Sequence, residues 1–320
     1  MKVVFMGTPD FAEAALRALA ASDHTVVGVV SAPDKPVGRG HQIARPAVAE
    51  AAVELGFALA QPVKLRDPEF LAWLADKQAD VFCVVAFRML PAVVWQMPSK
   101  GTINVHGSLL PFYRGAAPIQ HAVARGETTT GVTSFFIREE IDTGAVLLQR
   151  GTAIEPDDTA GSVYARLMHE GALLLVDTLD ALACQTLHGV PQSDLISLFE
   201  NEGRAFHDAP KLFRADGEIN WDRPATTVDC FIRGMTPHPG VWTMLNGKPL
   251  KVHAAAIGQE KTGEYDSDRA TGICRTEQGR LWVQTLDGEI ELLNVQAAGK
   301  PRRDVADFLN GYRHPIEELG

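Results

Sequence analysis

The chain opens on a short apolar run, Val3–Met6, which meets Gly7-Thr8-Pro9-Asp10 and passes into Phe11–Ala21. An apolar strand, a turn and a helix with an acid at its start are the elements this predicts. The alternation continues with a strand over Val26–Ser31, a helix over Ala44–Leu55, a short strand over Phe57–Ala60 and a helix over Pro68–Lys77. Val81–Ala86 is apolar at every position, as strands of a parallel sheet covered on both faces are. Gly101–His106 reads as a further strand, and Pro33–Gly40, with two prolines and two glycines, as a loop. After a loop over Gly107–Ala117 come a helix at Pro118–Ala124, strands at Val132–Arg138 and Ala145–Arg150 around Glu139–Gly144, and a long helix over Thr159–Leu187. Strands alternating with helices at this spacing imply βαβ units, hence an α/β, doubly wound (Rossmann-like), mostly parallel sheet.

From His188 to Lys211 the pattern dissolves into a linker. Beyond Trp221 short strand-like pieces recur at Gly240–Met244, Leu250–Ile257, Ala270–Cys274, Leu281–Thr285 and Glu289–Val295. Turn dipeptides such as Asn246-Gly247 and Asp287-Gly288 separate several of them. The expected organisation is an α/β domain over residues 1–188, a linker over 189–207 and a smaller all-β barrel, OB-like, over 208–320.

Composition narrows the classes. A length of 320 residues suits about two domains, and 46% hydrophobic residues supply a core. No apolar run approaches the ~18 residues of a membrane helix, and the first residues reach a turn too soon for a signal peptide. A soluble, cytoplasmic protein with no membrane partner is expected. The net charge of −10 does not advertise nucleic acid, so contact with it requires local basic patches. Cys83, Cys184, Cys230 and Cys274 lie far apart, with no zinc spacing, and are expected to be reduced thiols.

The opening turn has one glycine where a dinucleotide fold shows GxGxxG, which argues against a nicotinamide cofactor. The chemistry gathers instead in Gly101–Pro111. Asn104 and His106 are two positions apart, so on a strand they share a face, at its C-terminal end where open α/β sheets place ligands. An Asn amide can donate to a developing oxyanion, and a His can move a proton. Asp142, in the turn Glu139–Gly144, supplies a carboxylate that can hold such an imidazole in one orientation. A satisfied polar pair and a turn-capping Asp would show the same spacings.

At this point the chain resembles the 10-formyltetrahydrofolate-dependent formyltransferase family, in its branch acting on methionyl initiator tRNA. The residues that carry the resemblance are Val4–Ala12, Asn104-Val105-His106-Gly107-Ser108-Leu109-Leu110-Pro111, Tyr113–Ile119 and Asp142-Thr143-Gly144. Ala209-Pro210-Lys211-Leu212, Ile219-Asn220-Trp221 and Ala298-Gly299-Lys300 extend it over nearly the whole chain. The resemblance implies transfer of a formyl group from N10 of 10-formyltetrahydrofolate to the α-amino group of methionyl initiator tRNA, with no metal. Asn104 and His106 would stabilise the oxyanion, His106 would manage the amine's proton, and Asp142 would orient His106. Phe87, Met89, Leu90, Ser108, Leu109, Leu110 and Pro111 would line the folate site. A monomer is the family expectation.

On the tRNA side the resemblance points to Arg39, between two glycines; Lys211 and the locally positive cluster Lys300, Arg302 and Arg303 are further candidates. His41-Gln42 stands where the family often has lysines, and Phe112 where it often has a basic residue. Residues 205–320 carry 14 Lys and Arg against 17 Asp and Glu, so the second domain is not basic overall. The same three candidate catalytic residues would serve formyl transfer to an amino sugar on a nucleotide, or a hydrolase releasing formate. A catalytically silent folate- or RNA-binding protein would have no need of all three.

Overall fold

The computed structural model of the chain describes residues 1–37, 42–201, 205–258 and 270–320. It divides into two compact units, one of residues 1–115, 130–152 and 165–208, the other of residues 116–129, 153–164 and 209–320.

The elements in chain order begin with β1 (Lys2–Gly7), α1 (Asp10–Ala20), β2 (Thr25–Val30), β3 (Lys35–Val37), β4 (Gln42–Ala44), α2 (Ala47–Glu54), β5 (Leu59–Ala60), α3 (Pro68–Asp76) and β6 (Val81–Val85). They continue with α4 (Ala92–Trp95), β7 (Thr102–His106), α5 (Pro118–Ala124), β8 (Thr129–Phe136), β9 (Val146–Ala153), α6 (Ala160–Ala183) and α7 (Gln192–Asn201). Seven strands form one sheet in the order β5-β2-β1-β6-β7-β8-β9. Pairing is parallel from β5 through β7, and β8 lies antiparallel to β7. The continuous apolar runs are buried as expected: Val3–Met6 and the whole of β6 are covered. α1 buries Phe11, Ala12, Ala15, Leu16 and Leu19, the repeat of a helix with one face on a sheet. Asp67 caps α3 by accepting from the Glu69 backbone N–H at 2.9 Å, and Pro68 follows at the first helical position.

Two differences from the sequence reading stand out. The Pro33–Gly40 loop contains strand β3, which pairs with β4 as an antiparallel hairpin. Prolines are tolerated on such a two-stranded edge because they need donate no ladder bond. The expected linker contains α7, and Val190 pairs with Val146 through bonds of 2.8 and 2.7 Å.

The C-terminal stretch adds α8 (Ala225–Gly234), β10 (Val241–Leu245), β11 (Lys248–Ile257), β12 (Cys274–Glu277), β13 (Arg280–Gln284), β14 (Glu289–Ala297), β15 (Arg303–Asp304) and α9 (Val305–Gly311). The sheet order is β10-β11-β14-β13-β12, antiparallel throughout, with β15 beside β14. Asn246 and Gly247 take positive φ between β10 and β11, as a two-residue hairpin requires. β12 starts where the expected Ala270–Cys274 strand ends, because Gln278-Gly279 forms the hairpin turn that sets its register. The helices α8 and α9 were not legible as such. α8 turns Val228 and Ile232 into a core with Trp221, Leu281, Val283 and Ile290. A Cβ at Gly234 would lie 2.4 Å from the Ala124 backbone nitrogen, so α5 packs against α8 where only glycine leaves room. No helix among the described residues is long and apolar enough to cross a membrane.

Candidate active site

The parallel sheet reverses direction of growth at β1 and β6, the position where open α/β sheets hold ligands beyond the strand C-termini. β6 and β7 are parallel neighbours, so the loops that follow them leave the same edge. In β7, Asn104 sits between Val84 and Phe135, and His106 lies opposite Thr133. The His106 imidazole is buried and meets Phe135 edge-on, with centroids 6.5 Å apart. Its Nε2 is 2.8 Å from the Tyr113 carbonyl oxygen. A carbonyl only accepts, so Nε2 carries the hydrogen and Nδ1 is the nitrogen left to bind a proton.

Nδ1 faces Asp142 Oδ2 at 3.7 Å, and the side chains are 8% and 13% exposed, so the pair is shielded from bulk water. Asp142 holds φ +55° in the turn between β8 and β9. The Gly115 backbone N–H donates to its Oδ2 at 3.0 Å. Gly144 lets this turn close, because a Cβ there would lie 1.5 Å from the Phe136 carbonyl oxygen. Asn104 Oδ1 is buried with no hydrogen-bond partner. Buried polar atoms are nearly always paired, so this acceptor marks a place where a hydrogen-bond donor of a ligand fits. His106 and Asp142 are thus in direct apposition, and Asn104 lies two positions before His106 on the same strand.

The other expected folate residues divide by role. Met89 is 72% exposed at the edge, while Leu90 packs in the core with Val84 and Val94. Phe87 lies against that core, and Arg88 donates to the carbonyls of Val63, at 2.9 Å, and Pro62, tying the loop down. Leu110 packs with Phe135 and Val146, so its side chain is structural. The Ser108 hydroxyl donates to the Phe112 carbonyl at 2.6 Å, and Pro111 is buried. Leu109 is half-buried. This loop therefore offers mainly backbone groups to a ligand.

Phe112 stacks on Phe206 at 4.8 Å and tilts against Phe199 at 5.0 Å, so the expected basic position holds an aromatic cluster. Of the expected tRNA residues, Arg39 lies outside the described residues. Lys211 is exposed, its Nζ 5.3 Å from the Phe213 ring centre. Lys300 and Arg303 are exposed beside a groove of about 870 Å³ that Lys248, Phe308 and Tyr312 also line. Arg302 donates to Asn294 Oδ1. The sequence reading missed Thr133, Gln149 and Gln192. The first two hold the Ser108–Pro111 loop, with Gln149 Nε2 donating to the Leu110 carbonyl at 2.8 Å. No local pattern marks them, since each acts on segments distant in sequence.

Residues 1–179 match the family described as formyl transferase, and residues 211–313 match the formyl transferase C-terminal domain. Methionyl-tRNA formyltransferase of Parabacteroides distasonis is 42% identical over 319 residues, which cover 99% of this chain and 97% of that protein. The Flavobacterium johnsoniae protein of the same name is 39% identical over 97% of this chain and 96% of its own. Among solved structures, an N-formyltransferase of Helicobacter canadensis in complex with folinic acid and dTDP-3-aminofucose superposes with TM-score 0.63 at 17% identity, covering 93% of this chain and 99% of that one. HypX of Aquifex aeolicus in complex with tetrahydrofolic acid gives TM-score 0.63 at 16% identity over 99% of this chain, which spans about half (48%) of HypX. These two likenesses establish the fold alone. The family assignment rests on the near-full-length relatives and both domain matches: the chain belongs to the formyl transferase family, in its methionyl-tRNA formyltransferase branch.

Proposed function

We propose that this chain transfers the formyl group of 10-formyltetrahydrofolate to the α-amino group of methionyl initiator tRNA, for translation initiation. The observation that carries the chemistry is the 3.7 Å approach of His106 Nδ1 to Asp142 Oδ2, with the unpartnered Asn104 Oδ1 two residues before His106 on β7. The near-full-length relatives support the choice of acceptor.

The attacking amine forms a bond to the formyl carbon, the carbon's bond to N10 breaks, and the amine sheds a proton. As attack proceeds the formyl oxygen gains negative charge. In this reading the Asn104 amide Nδ2 donates to that oxygen. His106 Nδ1 takes the amine proton, because Nε2 is committed to the Tyr113 carbonyl. The resulting imidazolium has the Asp142 carboxylate beside it, and the proton returns to N10 of the leaving tetrahydrofolate. The loops at Phe87–Leu90 and Ser108–Pro111 hold the folate, largely through backbone groups.

In this reading residues 1–188 form the catalytic domain, and residues 208–320 bind tRNA through Lys211, Lys300, Arg302 and Arg303. Arg39 grips the acceptor end. The protein acts as a cytoplasmic monomer. The test is an assay of purified protein with 10-formyltetrahydrofolate and methionyl initiator tRNA. Formylated methionyl-tRNA is the expected product, and Arg39→Ala should weaken only the dependence on tRNA. Robust formylation of a nucleotide-linked amino sugar, with none of charged tRNA, would overturn the assignment.

A further inference from the structure

We infer that Gln192 is a positioning residue for the reaction, holding the Asp142 carboxylate against His106 by tying together the two backbone segments that hold the pair. The inference rests on the catalytic reading above. Gln192 is the first residue of α7 and is 3% exposed. Its Nε2 donates to the Asp142 carbonyl at 2.8 Å and to the Gly144 carbonyl at 2.9 Å. Its Oε1 accepts from Arg114 Nε at 2.9 Å and from Arg114 Nη2 at 2.5 Å. One buried amide therefore uses both ends fully, and both partners are functional segments.

The two segments matter for different reasons. Asp142 and Gly144 belong to the turn that carries the carboxylate, and Asp142 holds a positive φ that a side chain does not favour. Arg114 lies between Tyr113, whose carbonyl accepts from His106 Nε2 at 2.8 Å, and Gly115, whose N–H donates to Asp142 Oδ2 at 3.0 Å. Gln192 is thus one residue removed from the acceptor that orients the imidazole and from the donor that orients the carboxylate. Its own place is set by the Val190–Val146 bridge and by Leu195 packing on Leu110, Phe135 and Val146. Because both bonds from Nε2 go to carbonyl oxygens, a carboxylate of the same shape cannot replace the amide.

The experiment uses the full chain and the variants Gln192→Ala and Gln192→Glu, alone and combined with Asp142→Ala. A displacement of the carboxylate by about 1 Å should lower kcat by roughly 10- to 100-fold, with KM for the folate changed by less than about twofold. Gln192→Glu keeps the acceptor for Arg114 and loses the donors to the turn, so it should fall as far as Gln192→Ala. In the Asp142→Ala background either substitution should cost less than about twofold, since its effect passes through the missing carboxylate. The His106 ring nitrogen resonances should shift in the Gln192 variants toward those of Asp142→Ala. A near-normal kcat, an equal loss in both backgrounds or unmoved resonances would overturn the inference. If Gln192→Ala does not fold, Gln192→Glu decides by the same measurements. The resonance readout needs no substrate, so failure to formylate tRNA would count against the functional reading while leaving this positional claim to be judged by the ring signals.

Discussion

The Thr133 hydroxyl donates to the Ser108 carbonyl at 2.6 Å and accepts from the Leu110 N–H at 3.0 Å, so one strand of the sheet dictates the path of the loop that follows its neighbour. Both bonds are buried, and Gln149 Nε2 adds a third at 2.9 Å. Thr133→Val keeps the shape and removes the bonds. It should cost about 1–3 kcal/mol of stability, because buried partners lose their complement. A urea unfolding curve measures that loss. If the loop lines the folate site as proposed, formyl transfer should fall as well, with the larger change in KM for the folate.

Asp142→Asn preserves the volume and the acceptor for the Gly115 N–H while removing the charge facing His106. The expected result is a drop in kcat of roughly 10²- to 10⁴-fold, the usual worth of a positioned proton-transfer pair. Binding of tetrahydrofolate, measured by calorimetry, should be nearly unchanged. Asn104→Ala should show the same split between turnover and binding.

Stability should fall as the solution is acidified from neutrality. Burial holds the His24 imidazole below its ordinary value of 6.5, the amino terminus 3.2 Å from Nδ1 adds to this, and Asp180 opposes it. The unfolded chain then binds more protons than the folded one between the folded value and about 6.5, so stability rises with pH across that window. It is fully present above the window and lost as pH falls through it. His253 is shifted the same way by burial. Urea midpoints between pH 7 and 5 should therefore decline, and His24→Gln should flatten part of the slope.

The four thiols should separate by reactivity. Cys184 is exposed, whereas Cys83 is buried and its thiol is driven far upward by burial. Burial pushes Cys274 up to about 12, and Cys230 is also raised. A maleimide at neutral pH should modify Cys184 rapidly and spare Cys83, because the thiolate is the reacting form. Peptide mapping before and after denaturation checks the order.

The central strands were legible because each is a short apolar run with a turn beside it, and Asn104 and His106 were legible because two-residue spacing defines a face. Asp142 could be named but not joined to His106, since the joining depends on how β8 and β9 return. Gln192 could not be found at all. It lies in a stretch rich in glycine, proline and polar residues, whose helix α7 is held by tertiary packing of Leu195 rather than by a strong repeat. Helices α8 and α9 were hidden for a similar reason: each is short, and strand pieces surround it. The hairpin arm of β3 and β4 was masked by prolines that ordinarily forbid a strand.

The close seating of Ala124 against Gly234 bears on how this gene can be cut. The second compact unit takes residues 116–129 and 153–164 from the first half of the chain, so a fragment starting at residue 209 would be expressed without a wall of its own interior. Such a piece should aggregate unless a peptide spanning the missing helix is supplied alongside it. Swapping C-terminal portions between relatives should likewise succeed only when those early stretches travel with them.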